Sequence, residues 1–117
     1  MTLRHISPVF QVADMTRALA FYRDVLGFSV GWQVGEPITH AAVCKDNIEI
    51  MLVQSATPVP SHAYINLTGI DEYFARAIRG GARELVPLED RHYGMRDGRI
   101  SDPDGNNIGL GQPIHDD

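Results

Sequence analysis

One pattern of apolar runs and breaks is written twice along this chain, and that repeat limits its possible folds more than any other feature. The segment Ile6 to Val12, carrying Val9, Phe10 and Val12, reads as a strand. Asp14 stands where a helix wants its N-cap. Met15, Ala18, Leu19, Tyr22, Val25 and Leu26 follow at the spacing of one helical face, and Gly27 suits the left-handed residue that closes a helix. Phe28 to Val34 alternates like a half-buried strand; Thr39 to Cys44 and Asn47 to Val53 are two more, with Lys45-Asp46 as the turn between them. Ser55 to Ser61 contains Pro58 and Pro60 and suits neither a central strand nor a helix interior. The pattern then restarts. Ala63 to Leu67 alternates, Asp71 takes the capping place, and Tyr73, Phe74, Ala77 and Ile78 make a helical face ended by Gly80-Gly81. Strand-like pieces follow at Arg83 to Val86, Gly94 to Ser101 and Asn107 to Leu110.

The period is roughly 55 residues, with Asp14 laid on Asp71 and Gly27 on Gly81. The expectation is an α+β chain of two tandem βαβββ modules, about 4–54 and 62–112, joined by a linker over about 55–61. With 117 residues the chain has enough material for a single domain over 1–117 and too little for two large ones. One four-stranded half cannot enclose anything unaided, whereas two curved mixed sheets can surround a cleft.

Composition narrows the partners. A net charge of -5 disfavours nucleic acid and mildly favours cationic molecules. No apolar run approaches the roughly 18 residues of a membrane helix, and Met1 to His5 lacks a signal-peptide core, so the expected location is cytoplasmic. A single cysteine, Cys44, excludes an internal disulfide and a multi-thiolate metal site; in the run Ala41-Ala42-Val43-Cys44 it reads as a buried, inert thiol.

Three local motifs add a resemblance. Phe21-Tyr22-Arg23-Asp24-Val25-Leu26-Gly27-Phe28 resembles the "FY…LGF" helix end of the glyoxalase/bleomycin-resistance/dioxygenase (vicinal oxygen chelate) superfamily. Tyr93-Gly94-Met95-Arg96 is similar to its "YG-x-R" segment, and Asp102-Pro103-Asp104-Gly105-Asn106 to its "DPDGN" hairpin. A DPDG turn alone would serve any hairpin; all three in this order are specific, and the likeness runs from about Ser7 to Gln112. The resemblance implies a small-molecule ligand and a homodimer, side by side or swapped across the linker. Within the superfamily are lyases, epimerases, dioxygenases, fosfomycin-modifying enzymes and metal-free bleomycin-binding proteins, and fold alone does not choose among them.

The metal positions do choose. The metalloenzymes of the superfamily take one His, Gln or Glu ligand from each of four strands, and such donors must converge at about 2.0–2.2 Å. Carried onto this chain, those positions fall on Ser7, on Glu49 or Met51, on His62, Tyr64 or Asn66 according to register, and on Gly109. Glycine has no side-chain donor and serine is a weak neutral one. The resemblance therefore implies a protein without a metal cofactor, closest to the bleomycin-resistance-like members, that sequesters a drug-like or metabolite ligand. The alternative is a glyoxalase-like lyase or dioxygenase using Zn, Ni, Mn or Fe on displaced ligands, His5, Glu49 and His62.

Strand alternation nominates the residues that would line the cleft. If Ile48, Ile50, Ile65, Leu67, Gly98 and Ile100 face the helices, then Glu49, Met51, Tyr64, Asn66, Arg99 and Ser101 face the cleft. Trp32 adds a stacking surface, and His40 shares a face with Ala42 and Cys44. Glu49 could meet a cationic ligand and Arg99 an anionic one, or the two could pair with each other. No close acid–base pair is identified by spacing, so no catalytic residue is nominated.

Overall fold

The computed structural model describes residues 1–115. The chain is α+β, in two similar modules. The first contains β1 (Val9–Val12), α1 (Met15–Asp24), β2 (Ser29–Val34), β3 (His40–Lys45) and β4 (Ile48–Gln54). The second contains β5 (His62–Asn66), α2 (Ile70–Arg79), β6 (Arg83–Asp90), β7 (Met95–Ser101) and β8 (Asn107–Pro113). Each module forms its own mixed sheet of four strands, ordered β1-β4-β3-β2 and β5-β8-β7-β6. The first strand of each pairs in parallel with the last, and the remaining pairs are antiparallel. None of the described helices is long and apolar enough to cross a membrane.

One core joins the modules. Phe10, Val12, Ile50 and Leu52 from the first sheet and Ile100, Ile108 and Leu110 from the second are buried in the same cluster as Phe21, Tyr22, Phe74 and Ala77 from the helices. Apolar burial of this kind contributes about 25 cal/mol per Å² and holds the modules to one another. The opposite face of each sheet is turned away from that core, and the functional residues stand there.

Two of the family-like motifs meet in this core. Tyr22, fully buried, packs edge-on against Phe21 and Phe28 with ring centroids 5.4 and 6.0 Å away. Its hydroxyl donates to Asp102 Oδ2 at 2.9 Å. Asp102, 4% exposed, also accepts from the backbone N–H groups of Asp104 and Asn106 and from Asn106 Nδ2, each at 2.9 Å. Asn106 in turn donates to the Gln11 carbonyl and accepts from the Ser61 N–H, while Asp104 takes the Ala13 N–H and the Arg17 guanidinium. The "FY…LGF" and "DPDGN" segments are therefore two halves of one lock, tying the second module's hairpin to the first module's helix. Burial of a carboxylate is tolerated because every lone pair is used.

Some boundaries differ from the sequence reading. Asp14 does cap α1, accepting the Arg17 N–H at 3.1 Å. Asp71 does not cap α2: the cap is Gly69, in left-handed conformation with φ 69°, and Asp71 lies in the first turn bonded to Arg96. The β3–β4 turn is centred one residue later than Lys45-Asp46, because Asp46 adopts φ 52°, a conformation that aspartate tolerates better than most residues. β6 runs to Asp90, beyond Val86, with register shifts between Glu84 and Val86 and between Val86 and Glu89, the second spanning Pro87.

Candidate functional site

Both outward faces carry nominated residues. On the first sheet, Trp32, 39% exposed, pairs with Ala42, which pairs with Met51, which pairs with Val9, making an apolar row across four strands. His40 is exposed at the start of β3, its Nδ1 2.9 Å from the Thr39 hydroxyl oxygen. Glu49 is half-buried and accepts the Ser7 hydroxyl at 2.6 Å, with His5 Nε2 at 3.9 Å.

On the second sheet, Tyr64 and Arg99 come together in an open pocket of about 470 Å³ with Val86, Tyr93, Met95 and Asp97. Its organising group is Asp97, 8% exposed. Oδ2 accepts the hydroxyls of Tyr93 and Tyr64 at 2.7 and 3.1 Å, and Oδ1 accepts Arg91 Nε at 3.0 Å. Arg91 is itself anchored on Glu89 and on the carbonyls of Pro87 and Asp97. Burial alone would raise the Asp97 carboxyl, but the hydrogen bonds from Tyr93, Arg91 and Tyr64 outweigh it and hold the group below the usual carboxylate range. Burial, then the bond to Asp97, pushes Tyr64 up to about 12; the bond to Asp97, then burial, raises Tyr93. At neutral pH the carboxylate is fixed as an anion and the two phenols as neutral donors.

Tyr64 reaches Asp97 by crossing the intervening strand. It pairs with Gly109 in β8, while Gly109 faces Arg99 and Gly111 faces Asp97 in β7. A Cβ on Gly109 would come within 2.8 Å of the Tyr64 ring, and one on Gly111 would overlap its hydroxyl. Neither glycine has a positive φ. Space, and not backbone conformation, requires them. The ring lies in the trough that two absent side chains leave, and Tyr64 is still 47% exposed toward the pocket.

The other nominated residues lie elsewhere. Asn66 shares Tyr64's face but lines a separate cavity of about 380 Å³ with Phe28, Ile48, Leu67 and Tyr73. Ser101 is 4% exposed and donates to the Asp102 carbonyl at 2.7 Å, so it belongs to the hairpin and not to the pocket. Glu49 and Arg99 do not pair within the chain; no ion pair or hydrogen bond among the described residues joins the two outward faces. His62 is exposed opposite Asn107. Among the described residues of one chain no three His, Cys, Asp or Glu side chains converge as a metal-binding group, so His5, Glu49 and His62 are not assembled. Of the positions that the resemblance offers, Ser7 donates to Glu49, Met51 stands in the apolar row, the Tyr64 hydroxyl is bonded to Asp97, Asn66 lines the other cavity, His62 is exposed opposite Asn107, and Gly109 has no side chain. That donor set does not fit a divalent cation.

Asp97, Arg91 and Tyr93 were not nominated from sequence. Alternation puts Asp97 on the face of Arg99, and that signal was present.

Comparison with known proteins adds the following. The family model described as Glyoxalase/Bleomycin resistance protein/Dioxygenase superfamily matches residues 2–110. An uncharacterized protein of Mycobacterium bovis is 30% identical over 128 aligned residues, spanning 95% of this chain and 84% of its own. TioX from a Micromonospora species has a similar structure, with TM-score 0.83, 21% identity and coverage of 94% and 98% of the two chains. The bleomycin resistance determinant encoded on transposon Tn5 gives TM-score 0.82 at 17% identity, covering 95% and 98%. At such identities the structures share the fold.

Proposed function

This chain belongs to the Glyoxalase/Bleomycin resistance protein/Dioxygenase superfamily, and from that premise we propose that it is a small-molecule binding protein that sequesters its ligand without a metal ion and without turning it over. The observation that carries this reading is Tyr64 laid across Gly109 and Gly111. Tyr64 is one of the three places in β5 that the resemblance offers for a metal ligand, and its hydroxyl is committed to Asp97. The charge states of the pocket agree. A general acid or base works best with a pKa near the operating pH, whereas Asp97 is lowered and both phenols are raised away from it. Such groups position a ligand; they do not exchange protons with it.

The working unit in this reading is a homodimer. The outward face of the first sheet leaves Val9, Trp32 and Val34 between 39% and 58% exposed, together with Leu3 and Ile6 of the N-terminal arm at 93% and 92%. Contiguous apolar surface of this kind marks an interaction face, and a second copy laid against it would turn two open faces into a lined cleft. Light scattering of the purified chain at micromolar concentration should give the dimer mass; a stable monomer opposes this part of the reading.

Calorimetric titration with a panel of planar aromatic compounds, neutral and charged, tests the function. The expected result is saturable binding at one ligand per chain, with the compound recovered unchanged by mass spectrometry. Failure of the whole panel to bind, or catalytic conversion of a bound member, overturns the reading.

A further inference from the structure

Resting on the reading of the second-sheet pocket as a ligand site, we infer that its ligand class is a planar aromatic anion, an aromatic carboxylate in the simplest case, and not a cation. The overall charge of the chain, -5, points the other way, so the inference rests on the local charges. Asp97 is the one carboxylate lining the pocket, and both of its oxygens are occupied, Oδ1 by the Arg91 guanidinium and Oδ2 by two phenols. Its charge is countered by Arg91 at 3.0 Å, a guanidinium that also pairs with the exposed Glu89. Three of the roughly four acceptor sites of Asp97 are filled and the residue is 8% exposed, so little of the carboxylate is left open to an incoming cation.

Arg99 is in the opposite state. It projects from β7 on the same face, lines the same pocket and is exposed, and among the described residues no hydrogen bond or ion pair engages its guanidinium. The chain's own candidate to quench it, Glu49, is on the other sheet and holds the Ser7 hydroxyl. Arg91 is shared between Asp97 and Glu89, which lies exposed outside the lining, so among the lining residues Arg99 carries the one charge with no partner, on a flat fork of donors that suits a carboxylate. Beside it lies the Tyr64 ring, backed by Gly109 and Gly111 and held by its bond to Asp97, so its exposed side is a fixed stacking surface. An aromatic plate next to an unpaired guanidinium recognises a flat ring with an anionic substituent. Val86 and Met95 supply apolar wall around the ring.

The test is calorimetric titration of the full chain with three isosteric probes: 2-naphthoate, 2-naphthamide and 2-naphthylmethylammonium. Naphthoate should bind at least about tenfold more tightly than the amide, the usual size of a charge-assisted hydrogen bond, and the ammonium more weakly still. Arg99→Gln should remove that preference, lowering naphthoate affinity to about that of the amide and the amide's own affinity by much less. Because Arg99 is exposed, the variant should keep the native thermal midpoint, which is measured alongside. Tyr64→Leu should weaken naphthoate and naphthamide together, since both use the plate. Equal or tighter binding of the ammonium, or naphthoate affinity unmoved by Arg99→Gln, overturns the inference while leaving the binding function standing. Failure of all three probes to bind overturns the inference as well, and the wider panel then decides whether the binding function survives.

Discussion

Replacing Gly111 with alanine probes the seat of Tyr64 directly. In an ordinary strand that change is mildly favourable, because glycine there is worse than alanine by roughly 0.5–1 kcal/mol. Here the new methyl would overlap the Tyr64 hydroxyl. Forcing a methyl into filled space costs about 1–3 kcal/mol, and the ring, once displaced, loses its bond to Asp97, worth about 1 kcal/mol. The net expectation is a loss of about 2 kcal/mol for Gly111→Ala alone. In a Tyr64→Ala background the same change meets empty space and should be neutral or stabilising by a few tenths to about 1 kcal/mol. The coupling between the two positions should therefore reach about 2–3 kcal/mol, well above the few tenths seen between independent sites. Urea unfolding of the four proteins of the cycle, at one fixed chain concentration because the proposed dimer would add to stability, measures it. If Gly111→Ala costs the same in both backgrounds, the ring is not what requires glycine in β8, and the reasoning fails.

Two further outcomes follow from the core lock and the tyrosines. Asp102→Ala should destabilise by about 3–5 kcal/mol, since it strands four buried donors around a vanished carboxylate. Tyr22→Phe removes one of the four and should cost only about 1–2 kcal/mol; equal losses in chemical unfolding would contradict the lock. All four tyrosines of the chain, Tyr22, Tyr64, Tyr73 and Tyr93, are raised above 10, with Tyr64 and Tyr73 at about 12, burial being the first cause at each except Tyr93, where the bond to Asp97 leads. A phenol whose folded value exceeds its unfolded value near 10 contributes stability that is complete below that pH and lost as pH rises toward about 12. Absorbance at the phenolate band should accordingly stay low at pH 10 in the folded protein and rise at that pH on adding denaturant, whereas ordinary half-ionisation at pH 10 would argue against the burial described.

Much of the architecture was readable from the chain because its signals are local. Asp14 and the apolar spacing after it define α1 without tertiary help, and alternation in β4, β5 and β7 places Glu49, Met51, Tyr64 and Arg99 on the faces where the structure has them. What stayed hidden depends on contacts between distant strands. Gly109 reads from sequence as a missing donor; its positive role, making room for Tyr64, needs the pairing of β5 with β8. Asp97 is joined by Tyr64, 33 residues away, as well as by Tyr93 and Arg91 close by. Ser101 has the expected parity, yet lies at the strand end where the Asp102 hairpin claims its hydroxyl. α2 begins directly after Gly69, which leaves Asp71 in the first turn, where its side chain bonds Arg96 of β7, a contact that only the fold reveals.

The proposal that this protein holds its ligand without a metal is best tested by elemental analysis of the protein purified from medium supplemented with zinc, nickel, manganese and iron. The expected content is far below one ion per chain, unchanged by Glu49→Gln or Tyr64→Phe. A tightly held ion at one per chain, lost on replacing His5, Glu49 or His62, would contradict the claim and restore the metal-dependent lyase or dioxygenase.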